Sequence, residues 1–251
     1  MPPLQVLGIL AAGMAAGTIN VVVGSGTLIT FPVLLAFGYA PVTANVSNTI
    51  GLVPGSVAGA IGYRAELSDQ YRRLMVLGCA SLLGALIGAI LLLVLPSSAF
   101  QAIVPVFIGI ALILIISQPW LAKRLTVRRR EGSHHHGGRG TLAAVFITGV
   151  YGGYFGAAQG ILLLAILGVS LSEPLQRINA VKNVLAGSVN LLAGIVFMLV
   201  AHVAWLPVLL IAIGSSIGGI IGARVGRRLN PTVLRGLILL VGCAAIVKLL
   251  A

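Results

Sequence analysis

GMAAGTINVVVGSGTLITFPVLLAFGYAPVTANVSNTIGLVPGSVAG (13–59) and GVYGGYFGAAQGILLLAILGVSLSEPLQRINAVKNVLAGSVNLLAG (149–194) are two copies of one pattern. Each copy has a Gly-rich apolar segment, a break at a small polar cluster (GSG or AQG), a second short apolar segment and a long segment that carries asparagines. One constant offset in the numbering pairs the landmarks of the copies: Gly26 with Gly160, Asn45 with Asn179, Asn48 with Lys182, and Ser56 with Asn190. The sequence therefore predicts an internal repeat, to which every other feature must be fitted.

The composition around this repeat is that of a polytopic membrane protein. Hydrophobic residues make up 59% of the chain and charged residues 8%, against roughly 25% charged residues in soluble domains, and the mean hydropathy is +1.12. Several uncharged apolar runs reach about 18 residues or more, the length that crosses a bilayer as a helix. Because a helix satisfies its own backbone hydrogen bonds in hydrocarbon, we predict an all-α fold.

Basic residues mark the loops that we expect on the cytoplasmic side. The formal net charge is +12, but the basic residues lie between apolar spans rather than on one soluble face, so the charge indicates topology and not nucleic-acid binding. They fall in three groups: Arg64, Arg72 and Arg73; Lys123, Arg124, Arg128, Arg129, Arg130 and Arg139; and Arg224, Arg227, Arg228 and Arg235. All three groups should face the same side of the membrane.

This charge pattern decides how the spans are arranged. We predict helical spans over 4–22, 25–37, 43–63, 73–95 and 98–117 in a first repeat (1–117), then a basic linker (118–140), and spans over 141–157, 159–168, 174–199, 204–223 and 231–250 in a second repeat (141–251). If the first two segments of each repeat form a re-entrant hairpin, each repeat has three further crossings, and the two repeats are inverted relative to each other. Inverted repeats with broken helices are typical of secondary transporters, with the substrate near the midplane.

Lys182 is the least expected residue of the predicted spans. It lies eight residues beyond Pro174, about 12 Å along a helix, where a lysine costs at least about 2.5 kcal/mol. The four acidic residues all lie in loops or at a helix start, so we expect a bound anion to supply the counter-charge. Helix N-termini after the two breaks would add partial positive charge.

The predicted anion site combines backbone, hydroxyl, amide and ammonium donors from both repeats. Its members are Gly24, Ser25, Gly26, Thr27, Asn45, Asn48, Gln159, Gly160, Asn179, Lys182, Asn183 and Asn190. Interhelical hydrogen bonding is the purely structural alternative for the asparagines, since buried amides also stabilise membrane bundles. The sequence leaves both interpretations open.

Other candidate sites are weaker. Cys79 and Cys243 both fall inside predicted spans, and we expect them to be small core residues. The run His134–His136 lies in a Gly-rich charged linker, and we assign it no metal. We find no phosphate-binding loop, no HExxH and no Ser/His/Asp arrangement on a recognisable scaffold, so nothing predicts an enzyme or a cofactor.

The repeat resembles that of the sulfite exporter TauE/SafE family of membrane transporters, through GTINVVVGSGTLITFPVLLAFGYAPVTANVSNTIG and GVYGGYFGAAQGILLLAILGVSLSEPLQRINAVKN. The resemblance implies transport of sulfite, sulfoacetate or related organosulfonates across a bacterial cytoplasmic membrane. An anion channel, a transporter of a non-sulfur carboxylate or oxyanion, and a non-transporting membrane scaffold remain as alternatives. Direction of transport, coupling ion and homo-oligomer formation stay open.

Overall fold

The computed structural model describes residues 1–128, 138–225 and 231–250, and all the regular structure in these ranges is helical. The first repeat contains α1 (Pro3–Val22), α2 (Thr27–Ala36), α3 (Pro41–Gly51), α4 (Val53–Gly62), a 3-10 turn (Arg64–Leu67), α5 (Tyr71–Val94) and α6 (Ser97–Arg128). The second contains α7 (Arg139–Tyr154), α8 (Gln159–Ser170), α9 (Leu175–Val200), α10 (Trp205–Val225) and α11 (Pro231–Leu250). The all-helical prediction is confirmed. Glu131, the run His134–His136 and four of the basic residues, Arg129, Arg130, Arg227 and Arg228, lie outside the described residues.

Five helices of the described chain are long and apolar enough to cross a membrane: Pro3–Val22, Tyr71–Val94, Ser97–Ser117, Leu175–Val200 and Trp205–Val225. Shorter apolar helices include α2 and α8, the two segments that directly follow the breaks. Many large apolar side chains on the long helices are exposed. Such a surface is unfavourable in water and suits contact with lipid, so the chain is a multi-helix membrane protein.

Two boundaries differ from the predicted spans. The segment predicted as one helix over 43–63 is two helices, because α3 ends at Gly51 and α4 begins at Val53 with Pro54 in its first turn. A proline has no backbone N–H and fits the first turn of a helix better than its interior. The helix predicted over 98–117 continues to Arg128, well into the range predicted as linker.

The long helices of each repeat pack against helices of the other repeat. Helix α1 lies against α10 of the second repeat, and α7 lies against α5 of the first. Glycines permit the close approach: a Cβ on Gly17 would lie 2.3 Å from the carbonyl oxygen of Ser215, and a Cβ on Gly149 would lie 2.3 Å from that of Ser81. Ser81 and Ser215 are repeat partners, so the same serine position meets a glycine in both copies, whereas the counterpart of Gly17 is Tyr151. Helix α2 likewise packs on α11, and α8 on α6.

Two basic loops adjoin at one end of the bundle. A Cβ on Gly62, two residues before Arg64, would lie 2.2 Å from the Cβ of Ala223, which precedes Arg224. The start of α9 lies at the same end, where the guanidinium of Arg177 donates to the carbonyl oxygen of Ser68 at 3.0 Å. Helix α4 therefore ends, and α9 begins, at the face where α10 ends.

The expectation that Cys79 and Cys243 are core residues is wrong. Both thiols are free and exposed, on α5 and α11. Cys79 shares its side of α5 with Met75, Val76 and Leu83, which are also exposed. The prediction assumed that a cysteine in an apolar span faces protein, whereas in a membrane the outer face of a helix is also apolar.

Candidate functional site

The two breaks of the repeats meet in direct backbone contact. The amide of Gly160 donates to the carbonyl oxygen of Gly24 at 3.0 Å. A Cβ on Gly24 would lie 2.5 Å from the Cα of Gly160, and Gly24 has a φ of +90°, so a side chain is excluded there by both contact and conformation. Ser25 and Gln159, which follow Gly24 and precede Gly160, are brought to the same crossing point.

Beside this crossing, α9 covers the C-terminal end of α1. The ammonium of Lys182 donates to the carbonyl oxygens of Asn20 and Val21, at 3.0 Å each. The side-chain amides of Asn179 and Asn183 donate to Val21 as well, at 3.3 Å and 3.4 Å. The last carbonyls of a helix have no intrahelical donor, and here one turn and a half of α9 supplies the donors.

Lys182 is 0% exposed. We predicted a bound anion as its counter-charge, and the structure adds a protein partner, the partial negative charge of about half a unit at a helix C-terminus. Of the described carboxylates, that of Glu173 lies just before α9 and pairs with Arg73 at 3.0 Å and with Arg177 at 2.8 Å. A protonated Lys182 carries one unit of positive charge, which exceeds the partial negative charge of a helix end, so the two together are net positive.

Asn45, on α3 of the first repeat, caps a helix end of the second repeat. Its side-chain amide donates to the carbonyl oxygen of Tyr154, the last residue of α7, at 3.0 Å. Asn45 and Asn179 are repeat partners, and each donates to the interrupted helix of the other repeat. Each of these two paired asparagines therefore caps a helix end of the other repeat.

Asn48 differs from its repeat partner Lys182. Its amide nitrogen donates to the hydroxyl of Thr27 at 3.2 Å, and its amide oxygen accepts a short hydrogen bond from the hydroxyl of Thr30. Asn48 thus binds α2 of its own repeat instead of a helix end across the interface. Thr30 was not predicted, although its place three residues after Thr27 puts both on one face of a helix.

Asn20 is a second residue that the sequence analysis did not place in the site. Its amide nitrogen lies 3.3 Å from the hydroxyl oxygen of Ser56, and its amide oxygen lies 3.5 Å from the backbone nitrogen of Gly26. The repeat partner of Asn20 is Tyr154, an aromatic residue, so comparison of the copies gave no signal for it.

Four buried polar atoms at these positions have no hydrogen-bond partner within the described chain: the hydroxyl of Ser25, the amide nitrogen of Gln159 and the amide oxygens of Asn45 and Asn179. They form two pairs of repeat partners. A buried polar atom without a partner costs about 1–3 kcal/mol, and such atoms are often explained by water or a ligand. The hydroxyl and the amide nitrogen can donate to an anion.

Other predicted members lie around this group. The backbone nitrogens of Gly26 and Gly160, expected as anion donors, have protein acceptors in Asn20 and Gly24. Asn190 is half-buried on α9, about 12 Å beyond Lys182 along the helix, and lies outside the hydrogen bonds described above.

An aromatic cluster adjoins the break on the side of α7. The ring of Phe155, the first residue after α7, lies 5.1 Å from that of Phe31 on α2 and 5.9 Å from that of Phe100 on α6. All three side chains are at most 2% exposed. Buried aromatic rings therefore adjoin the polar crossing, and such a low-dielectric surrounding strengthens electrostatic interactions.

The chain is similar to known proteins over nearly its whole length. The family model for the sulfite exporter TauE/SafE matches residues 9–249. Probable membrane transporter protein YfcA of Escherichia coli (strain K12) is 25% identical over 249 residues, which cover 97% of this chain and 89% of the relative. Probable membrane transporter protein ORF9 of Sinorhizobium sp is 26% identical, with 97% and 91% covered. A probable membrane transporter protein of Haemophilus influenzae is 23% identical, with 94% and 91% covered. No solved structure matches the chain.

Proposed function

This chain belongs to the sulfite exporter TauE/SafE family of membrane transporters, and from that premise we propose that it carries a small sulfur-containing anion across the bacterial cytoplasmic membrane. The substrate class is sulfite, sulfoacetate or a related organosulfonate. The observation that carries the proposal is the buried contact between Gly24 and Gly160, with unpartnered polar atoms on both sides of it.

In this proposal the anion binds beside the crossing of the breaks. The hydroxyl of Ser25 and the amide nitrogen of Gln159 donate to it, because neither has a partner within the described chain. Lys182 supplies net positive charge from its place at the end of α1. The glycines keep the backbone close, and Thr27 and Asn48 orient the start of α2.

The same geometry favours a carrier over a channel. The two breaks touch through backbone atoms, so the polar crossing is closed in this conformation. Alternating access requires such a closed contact to open toward each side in turn. A channel would need a continuous polar path, and flux that fails to saturate would indicate one.

Inverted repeats are the proposed basis of that alternation. Helix α5 begins near the face where its repeat partner α10 ends, and α9 begins at the face where its partner segment α3–α4 ends. These positions support the proposal that equivalent helices run in opposite directions across the bundle. Because the loops at this face are basic, it is the cytoplasmic face in our proposal.

Export needs no coupling ion in this scheme. An inside-negative potential favours outward movement of a monovalent anion by about 2.3 kcal/mol per 100 mV. In this scheme the positive charge of the site belongs to the protein and is not transported. The membrane potential therefore drives the charge of the substrate alone.

Flux into proteoliposomes tests the proposed substrate class. Purified protein should take up radiolabelled sulfite faster than protein-free liposomes do, with saturation, and unlabelled sulfoacetate should compete. Acetate serves as the comparison because it is an oxyanion of similar size without sulfur. Uptake equal to that of empty liposomes would contradict the proposal, and competition by acetate alone would assign a carboxylate substrate instead.

A further inference from the structure

The C-terminal end of α1 has two main-chain oxygens without the backbone donors that a continuing helix would provide. The amides of Val23 and Gly24 both donate to the carbonyl oxygen of Ile19, at 2.7 Å and 3.0 Å. In a regular helix the amide of Gly24 would bind Asn20, and the next amide would bind Val21. The break therefore directs two partially negative oxygens into the protein interior.

A lysine side chain already binds these oxygens. The ammonium of Lys182 is 3.0 Å from the carbonyl oxygens of Asn20 and Val21, and the lysine is fully buried. The side-chain amide of Asn179 also donates to Val21, and its own oxygen has no partner within the described chain. Backbone carbonyl oxygens at a half-helix C-terminus are the ligands by which broken-helix transporters hold sodium.

The other break is built differently. The carbonyl oxygen of Tyr154 at the end of α7 accepts from the neutral amide of Asn45. Asn48, which stands where the second repeat has Lys182, binds Thr27 and Thr30 instead. The described chain therefore places a cation at one of two otherwise related helix ends.

We infer that the end of α1 is an intramembrane site for a monovalent cation and that the ammonium of Lys182 is its covalently tethered occupant. Wild-type protein then requires no sodium, because the site is filled. Removal of the ammonium exposes the oxygens of Asn20 and Val21 to a free cation. The consequence for coupling rests on the proposed transport function, whereas the cation site itself does not.

Thermal unfolding of the purified protein tests the site without any transport. Lys182→Ala and Lys182→Met should unfold several degrees lower than wild type in choline chloride, and sodium chloride at equal ionic strength should raise their midpoints in a saturable manner. Choline is too large to replace an ammonium between two carbonyl oxygens. Wild type and Arg72→Ala, which removes an exposed positive charge at the start of α5, should unfold alike in both salts.

Three outcomes would overturn the inference. If sodium stabilises the Lys182 variants no more than choline does, the oxygens do not form a cation site. If both variants fail to fold in either salt, sodium cannot replace the ammonium. A wild-type protein stabilised specifically by sodium would show that the lysine does not fill the site. Sodium stabilisation of Lys182→Ala, together with a wild-type protein that moves no sulfite, would uphold the site and reject the proposed function.

Discussion

Lys182 shows how one charged side chain is accommodated within a largely apolar membrane protein. Its position on a predicted span and the lack of a carboxylate inside the spans were readable from the sequence, and both pointed to an unusual environment. Its partners were not readable, because they are main-chain oxygens of Asn20 and Val21 in the other repeat. Every residue has a carbonyl, so only the fold reveals which ones are left without donors.

The charge of Lys182 should control transport in sodium-free medium. We expect Lys182→Ala to lower the initial rate of sulfite uptake by at least about tenfold, equivalent to 1.4 kcal/mol, because the site loses its only charged donor among the described residues at the crossing. Proteoliposomes in choline buffer provide the measurement, with Arg72→Ala as the control. Undiminished uptake would remove Lys182 from the site.

Gly24 allows a test of the close contact between the breaks. Gly24→Ala should destabilise the protein by about 1–2 kcal/mol from left-handed strain and by a further 1–3 kcal/mol or so from overpacking against Gly160. Gly38→Ala is matched, since Gly38 has a similar φ of +87° but a Cβ there would meet nothing within 4 Å. Thermal unfolding in detergent should show the larger loss for Gly24→Ala, and equal losses would contradict the contact.

At the scale of the element, most helices follow from apolar length alone. The span predicted over 4–22 is α1 at Pro3–Val22, and the span over 174–199 is α9 at Leu175–Val200. The break between α3 and α4 was missed because continuous apolar length gives no weight to Pro54. Apolar length likewise could not tell which face of α5 meets lipid, which is why Cys79 was assigned to the core.

Replacement of a glycine on α5 by alanine should change stability according to what that glycine contacts. A Cβ on Gly88 would lie 2.0 Å from the carbonyl oxygen of Val150 on α7, whereas a Cβ on Gly78 would meet nothing within 4 Å. We expect Gly88→Ala to destabilise by about 1–3 kcal/mol, because two backbones must separate. Gly78→Ala should stay within about 0.5 kcal/mol of wild type. The midpoint of thermal unfolding reports both, and a tolerated Gly88→Ala would contradict the packing of α5 on α7.

For the whole molecule, the sequence predicted two repeats but not which of their helices pack against each other. Equal spacing of matching residues indicates that the two segments have similar local structure. It does not indicate which helix of one copy packs on which helix of the other. The structure supplies that pairing through glycine contacts such as Gly17 with Ser215 and Gly149 with Ser81. The candidate site depends on it, because Asn45 and Asn179 act only across the repeats.

The proposed inverted arrangement of the repeats predicts which loops lie on the same side of the membrane. In protein lacking Cys79 and Cys243, single cysteines at Ser68 and Arg224 should resist a membrane-impermeant thiol reagent in intact cells and react after lysis. A cysteine at Ser97, in the loop without basic residues, should react in intact cells. Labelling of Ser68 and Arg224 from opposite sides would refute the inverted arrangement.

Sulfite counterflow tests the central claim, that an anion is carried at the crossing of the two breaks. Proteoliposomes loaded with unlabelled sulfite should accumulate radiolabelled sulfite transiently above equilibrium, as a carrier requires. Gln159→Leu should reduce the initial rate by about tenfold or more, since a hydrogen bond to a charged group contributes about 1.5–3 kcal/mol. Gln176→Leu, the same change at the start of α9, should retain the wild-type rate. Counterflow that is absent in wild type, or undiminished in Gln159→Leu, would contradict the account.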